Sequence, residues 1–311
     1  MKAFVYYNYG PPEVLEQKDI LKPIPKKDEL LIKVYASSVS AGISYLRMGE
    51  VPGNKLFTFI LRLQFGINKP KRPILGCEFS GIIEAVGKNV QRFKEGDAVY
   101  GTTTGLENGA YGDYVCVPEK RKQGVISHKP AYLSFAEAAA LPVGGMTALQ
   151  ILQKANLSSK TNLLVYGASG SVGSYAVQIA KYFGAKVTAV CSTNNLEWVK
   201  SLSADEVMDY TVPEWYRAGK KFDIVFDAVG KLETPQWKIL LAKGGKFCSI
   251  RSLTFEKNAY LALLEIMIAE DKLNPVIDKV YPFDDMVEAH RYADLGHKKG
   301  NVVISHIPDT T

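Results

Sequence analysis

The sequence predicts an α/β fold, a doubly wound parallel sheet with a smaller antiparallel barrel or meander in front of it. From Asn162 onward, short β-branched runs alternate strictly with helical periods, and that alternation requires parallel strands joined by crossover helices. A glycine-rich stretch, "VYGASGSVGS" (165–174), stands at the first strand-to-helix turn of that region. The first half differs: its short strands are broken by Gly, Asp and Pro turns, the pattern of antiparallel hairpins.

Taken in order, "ELLIKVYASSVS", "FSGIIEAVG", "GDAVYG" and "AYGDYVCVP" read as the strands of the first half. Between the first two lies "LFTFILRLQFGI" from Leu56, an amphipathic helix expected to pack on its own protein, with a cleft beneath it as one option. A membrane-surface helix is the less favoured reading. "SFAEAAAL" and "GGMTALQILQKA" are helices that bridge the halves, and Ser134 with Glu137 forms a capping box for the first. "NLLVYG" opens the parallel region as a buried strand. Val172, Ala176, Ile179, Ala180 and Phe183 then recur at helical spacing, and Gly184 stands where the helix should end. "AKVTAVC", "EVMDY", "FDIVFDAVG" and "GKFCSI" are the remaining strands, connected by "NLEWVKSLS", "PEWYRAG" and "TPQWKILLAKG". "PVIDKVYPF", "VEAHRYA" and "NVVISH" close the chain as strand, helix and strand.

With 311 residues the chain exceeds one small core, so two domains are expected. Hydrophobic residues at 47% and charged residues at 23% exclude disorder and fibrous repeats. The net charge of +6 is dispersed rather than blocked, which suits anionic ligands but argues against a nucleic-acid partner. "MKAFVYYNYG" has no apolar run of signal-peptide length behind it, so the mature chain is expected to start there. The run from Leu56 is too short to span a bilayer, and Arg62 interrupts it. Cys77, Cys116, Cys191 and Cys248 are widely spaced, without the pattern of a disulfide framework or zinc knuckle, which fits a cytoplasmic location.

The glycine-rich turn places unpaired backbone N–H groups and the positive end of a helix dipole at one point, a setting for phosphate. In "ASGSVG" the small Ala168 begins a tight turn, Gly170 admits a diphosphate to the main chain, and Gly173 lets helix and strand pack closely, while Ser169, Ser171 and Val172 complete the cradle. This is a dinucleotide fingerprint with Ala in place of its first Gly and an extra Gly167 before it. At the end of the second parallel strand, where an acidic residue would hold the ribose hydroxyls of NAD, stand Cys191, Ser192, Thr193 and Asn194. Hydroxyls without a carboxylate favour a 2′-phosphate, so NADPH is expected ahead of NADH.

These words together resemble a known superfamily over nearly the whole chain. "SVSAGISYLRMG", "ILGCEFSGIIEAVG", "FKEGDAVYG", "GAYGDYVCVP", "EAAALPVGGMTAL", "YGASGSVGSYAVQIAKYFGA", "DIVFDAVG" and "VIDKVYPFDDMVEAHRYADLGHKKGNVVI" are similar to the medium-chain dehydrogenase/reductases, in the zinc-less branch that holds quinone oxidoreductase and zeta-crystallin. The resemblance implies a GroES-like, barrel-type substrate domain at 1–125, completed by 255–311, with a Rossmann domain at 126–254 and the active site in a cleft.

The alcohol dehydrogenases of this superfamily use a catalytic zinc. At the positions of its ligands this chain has Ser40, then Cys77 before Glu78, and a site near Val143, too few donors for zinc, so no metal is expected. Cys77 then reads as a small buried apolar residue. Without a Lewis acid, conjugated acceptors are the easier substrates, because hydride added to a quinone or an α,β-unsaturated carbonyl leaves a delocalised anion that a few hydrogen bonds and one proton can hold. The resemblance makes Tyr45 the candidate proton donor, with Ser40 and Arg47 in the same segment; the alternative is that Tyr45 only shapes the pocket and water supplies the proton. It also implies cofactor contacts from Thr147, Tyr210, Ala228, Val229, Ser249 and Asn301.

One departure stands out. Relatives carry another strand between "GGKFCSI" and the helix "NAYLALLEIMIAEDKL", and they use it to pair the sheets of two subunits; here only "RSLTFEK" intervenes. A homodimer by that route is therefore in question. Two further readings stay open: a zinc-independent carbonyl or alcohol oxidoreductase, and a catalytically weak NADPH-binding protein of crystallin type.

Overall fold

Eleven consecutive residues, "ELLIKVYASSV", form the strand around which the first half is built, because nearly every one of their side chains is buried. The computed structural model describes residues 1–106 and 109–307. It divides into two units, Met1–Pro142 with Ile277–Thr311, and Val143–Val276.

In the first unit β1 (Lys2–Val5) and β2 (Glu16–Asp19) pair antiparallel, and β3 (Glu29–Val39) is the long strand. Two helices, α1 (Ala41–Met48) and α2 (Lys55–Phe65), precede β4 (Glu78–Val86), β5 (Ala98–Thr102), β6 (Tyr114–Pro118), β7 (Ile126–His128) and α3 (Phe135–Ala140). The capping box of α3 forms as expected: Ser134 Oγ accepts from the Glu137 N–H at 3.2 Å, and the Glu137 carboxylate accepts from the Ser134 N–H at 2.8 Å.

The second unit carries α4 (Pro142–Lys154), apart from its first residue, then β8 (Asn162–Tyr166), α5 (Ser171–Tyr182), β9 (Lys186–Cys191), α6 (Leu196–Ser201), β10 (Glu206–Asp209), β11 (Phe222–Asp227), α7 (Thr234–Leu240), β12 (Leu241–Ser249) and α8 (Asn258–Ala269). Its five strands are parallel in the order β10-β9-β8-β11-β12. The chain leaves β8 toward β9 and β10 on one side, then returns to place β11 on the other. β12 is an edge strand, and none of the described residues between it and α8 forms a further one. The connection before it differs from expectation: α7 stops at Leu240 and the chain is extended from Leu241, where the sequence suggests helix through "LLAKG".

The chain then returns to the first unit as β13 (Ile277–Pro282), α9 (Met286–Asp294) and β14 (Asn301–Ser305). β14 pairs antiparallel with β3, so the last strand lies beside the central one in a sheet ordered β13-β14-β3-β4-β5-β7, with β6 also on β3. Leu30, Ile32, Phe79, Ile83, Val115 and Val117 fill its core.

Both junctions lie later than the sequence suggests. α3 stays with the first unit because Ala139 and Ala140 pack on Ala36 and Val303. The segment 255–276 belongs to the second unit, where Leu261, Leu264 and Met267 of α8 are buried and the Gln150 amide of α4 clasps both backbone groups of Phe255.

The expectation for the run from Leu56 also needs correction. It is a helix, α2, but none of its residues is buried, and its apolar stripe faces solvent. Thr58, Leu61, Arg62 and Phe65 are half-buried, and Thr58 and Arg62 bond to Val51 and Gly49. Among the described residues no helix is long and apolar enough to cross a membrane.

Candidate functional site

The turn after β8 lies where the strand order reverses, the usual ligand position of an open parallel sheet. Gly167 and Ala168 donate their N–H groups to Val190 C=O at 2.9 and 3.0 Å, which ties the turn to β9. Gly167 has φ +78°, a conformation that side chains resist, which explains the extra glycine. The first helical bond of α5 runs from Ser174 N–H to Gly170 C=O at 2.9 Å. The N–H groups of Ser171, Val172 and Gly173 precede that ladder, and no side chain caps Gly170.

The glycines answer different needs. A Cβ on Gly173 would sit 2.1 Å from Gly167 C=O, so the helix lies directly on the turn. A Cβ on Gly170 would meet only that same oxygen, at 3.6 Å, and otherwise point into open space. An uncapped, bare, open helix start of this kind fits the diphosphate of a dinucleotide.

The other expected cofactor residues of this unit gather at the same carboxyl edge of the sheet. Ala228 and Val229 follow β11, and a Cβ on Gly167 would meet Val229 Cγ2 at 2.0 Å, so the two loops touch. Their conformation is held by a residue that sequence reasoning missed. The buried Asp227 carboxylate accepts from the N–H groups of Val229, Gly230 and Leu232 at 3.1, 2.7 and 2.9 Å. An Asp at a strand end before "AVG" was the available signal. Ser249 ends β12, and Thr147 stands one turn after Gly144, whose Cβ would meet Ser171 Oγ at 2.4 Å.

Ser192 and Thr193 follow β9 and Tyr210 follows β10, its N–H bonded to Cys191 C=O at 3.0 Å. Here the structure corrects one step of the sequence argument. The Thr193 hydroxyl donates to the Asp209 carboxylate at 2.6 Å, so an acid does stand beside this end of the site, contributed by the neighbouring strand. Hydrogen bonds from Thr193, then Thr211, hold its carboxyl below the usual range. Asn301 lies in the first unit, where it opens β14 and is buried.

The first unit gathers the other candidates around α1. Ser40 is its N-cap, accepting from Ile43 N–H at 3.4 Å, and its Oγ lies 3.6 Å from Cys77 Sγ. Cys77 is partly exposed, not fully buried as expected. Tyr45 is half-buried on α1.

Arg47 departs from its expected role. Its side chain is wholly buried, with bonds to Gly10 C=O, His290 Nδ1 and the Asp294 carboxylate, and such a cation cannot reach a substrate. Because Tyr111 donates to Ser38 C=O at 3.0 Å, the His290 Nε2–H must donate to Tyr111 Oη at 3.1 Å, which sets the tautomer. Burial, and then the Arg47 charge, lower the His290 pKa to about 3.

Beside Cys77, the buried Glu78 carboxylate accepts from the Ser38 hydroxyl. Lys298 donates to Gly300 C=O at 2.7 Å; burial lowers its pKa to about 8, against the opposing pull of Glu78 and Asp278. No sequence pattern marked this lysine. Next to α1 lies a cavity of about 170 Å³ lined by Ile43, Leu46, Phe65, Arg72, Cys77 and Thr103. Its walls are mainly apolar, and its size suits a small molecule. A roomier hollow of about 570 Å³ in the second unit lies along the C-terminal half of α5, beside Gln178, Lys181 and Tyr182, away from the glycine-rich turn.

A family model described as an alcohol dehydrogenase GroES-like domain matches residues 26–127, and models described as zinc-binding dehydrogenase match 171–272 and 253–304. The chain is similar to 2-methylene-furan-3-one reductase of Solanum lycopersicum, 35% identical over 328 residues, covering 99% of this chain and 80% of that protein. It is 32% identical to the chloroplastic NADPH-dependent alkenal/one oxidoreductase of Arabidopsis thaliana, with the same coverage of 99% and 80%. Among solved structures, the quinone oxidoreductase from Coxiella burnetii superposes with TM-score 0.84 at 27% identity over 99% of each chain.

Ser40, Cys77 and Glu78 offer one thiol and one acid already bonded to Ser38, which does not suit a catalytic zinc. Among the described residues no cluster of three or more His, Cys, Asp or Glu is placed to hold a metal ion.

Proposed function

This chain belongs to the medium-chain dehydrogenase/reductase superfamily, among its quinone and alkenal oxidoreductases, and on that footing we propose that it reduces quinones or α,β-unsaturated carbonyls with NADPH and without zinc. The observation that carries the reading is the open, uncapped start of α5 at the reversal point of a parallel sheet. The donor set around Cys77, unsuited to zinc, removes the means of holding an alkoxide and so favours conjugated acceptors. NADPH ahead of NADH is supported by the relative named for it and by the Ser192 hydroxyl, and is opposed by Asp209. Four widely spaced cysteines favour a reducing compartment such as the cytosol, although the Arabidopsis relative is named chloroplastic.

A nicotinamide coenzyme held at this turn would supply the hydride for the reduction. The rest falls to this chain. The N–H groups of Ser171, Val172 and Gly173 take the diphosphate charge, and the Asp227-held loop with Val229 fixes the wall beside it. Ile43, Leu46 and Phe65 offer the apolar surface that excludes water. Tyr45 gives its phenolic proton to the oxygen on which charge collects. Arg47 acts through position alone, pinning α1 against α9 and with it the Tyr45 backbone.

The test begins with fluorescence titration by NADPH and NADH, followed by NADPH oxidation with a quinone, an enone and a simple ketone side by side. Turnover of the first two far above the ketone is expected. Equal turnover of the ketone would favour the carbonyl reductase reading. Tight NADPH binding without oxidation by any acceptor would leave a binding protein in place of an enzyme. Tyr45→Phe is expected to lower kcat on a good enone by about 100-fold or more, within the usual range for a lost general acid. An unchanged kcat would return the proton to water.

A further inference from the structure

α2 is turned inside out relative to an ordinary surface helix. Leu56, Phe59, Ile60 and Leu63 recur at helical spacing, and they form the outward stripe, at 66, 65, 47 and 57% exposed. Ile67, just past the helix, extends it at 61%. The inward side carries the half-buried Leu61 and Phe65 together with Thr58, bonded to Val51, and Arg62, whose guanidinium donates to Gly49 C=O at 2.8 Å and lies over the Tyr9 ring at 5.1 Å. The helix is therefore held by a mixed inner side, while Leu56, Phe59, Ile60 and Leu63 remain exposed. A contiguous exposed patch of large apolar side chains marks an interaction site.

Charge identifies the occupant. From Val51 to Cys77 there is no Asp or Glu, while Lys55, Arg62, Lys69, Lys71 and Arg72 are basic. Lys55, Lys69 and Lys71 are exposed at the two ends of the stripe. An apolar helix face flanked by lysines, with Glu50 the one acid next to the stretch, is the composition that lies in the headgroup region of an anionic bilayer: the apolar side chains enter the acyl boundary and the ammonium groups meet lipid phosphates. A second copy of this chain would bring the same uncompensated positive charges face to face, which disfavours self-association through the patch.

We propose that α2, with the basic segment after it, is a peripheral docking surface for anionic membranes. The proposal does not rest on the reductase reading. The inner end of the same helix, at Phe65, borders the cavity beside Cys77, so docking would bring that cavity to the layer where apolar small molecules concentrate.

Co-sedimentation of the full chain with vesicles tests it. Vesicles of phosphatidylcholine containing about one third phosphatidylglycerol should carry the protein down at low salt and release most of it as salt screens the charges. Pure phosphatidylcholine vesicles should bind at least about tenfold less. The double variant Phe59→Glu with Leu63→Glu should stay in the supernatant while keeping the wild-type circular dichroism melt, because both side chains point away from the protein. Lys69→Glu with Lys71→Glu should weaken binding to the anionic vesicles alone. Wild-type protein that stays soluble with both lipids would overturn the proposal. So would vesicle binding that Phe59→Glu with Leu63→Glu leaves intact, and so would concentration-dependent dimerisation, lost in that variant, without any vesicle binding.

Discussion

Gly170 and Gly173 occupy one turn and offer a clean separation of folding from binding. A Cβ on Gly173 would overlap the Gly167 carbonyl, so Gly173→Ala should cost about 1–3 kcal/mol of stability as an overpacked contact. A Cβ on Gly170 meets open space, so Gly170→Ala should melt like the wild type yet bind NADPH at least about tenfold more weakly, because the methyl occupies the approach of the diphosphate. Thermal melts and fluorescence titration of the pair check this; equal NADPH affinity in Gly170→Ala would deny the turn its role. His290 supports a second prediction. Its folded pKa of about 3 lies below the unfolded value of 6.5, so the unfolded chain binds more protons between the two. The contribution is fully present above pH 6.5 and is lost as pH falls toward 3, at about 1.4 kcal/mol per pH unit. His306, lowered to about 3 by burial, acts in the same direction. Denaturant midpoints should therefore fall from pH 6.5 to 4.5, and less steeply in His290→Gln. At this scale the sequence marked the turn because glycine signals backbone demands directly, whereas Arg47 could not be separated from a substrate-facing cation: its partners His290 and Asp294 lie far along the chain.

Helices and strands divide by how local their cause is. α3 has only six residues, and its start is secured by the reciprocal bonds of Ser134 and Glu137. Ser134→Ala should lower stability by about 1 kcal/mol, and Ser134→Asp by much less, since Asp also caps; chemical denaturation of the three proteins decides. Unchanged stability in Ser134→Ala would show the cap to be idle. β8, β9 and β11 were legible because a buried parallel strand needs an apolar run, a signal contained within a few residues. The α7–β12 junction was not, because "LLAKG" suits a helix, whereas Leu241 pairs with Phe222 of β11 and Gly244 has φ +78°. α2 shows the same limit. Its periodicity identified the helix, but periodicity says only that one face is apolar, not which way that face points.

For the whole chain, the donors around Cys77 predict indifference to chelation. Prolonged treatment with a strong chelator should leave NADPH-dependent turnover unchanged; a loss restored by zinc would overturn the zinc-free reading. By itself the sequence determined the fold class, the place of the glycine-rich turn and the family, since each is written in short-range pattern: apolar period, glycine spacing and ordered words. Only the tertiary structure decided where the units divide, that Arg47 is internal, that Asp209 stands beside Thr193, and that the apolar face of α2 is turned outward. Those facts depend on which distant segments pack together, and packing is settled by burial summed over the folded chain rather than by any stretch of it.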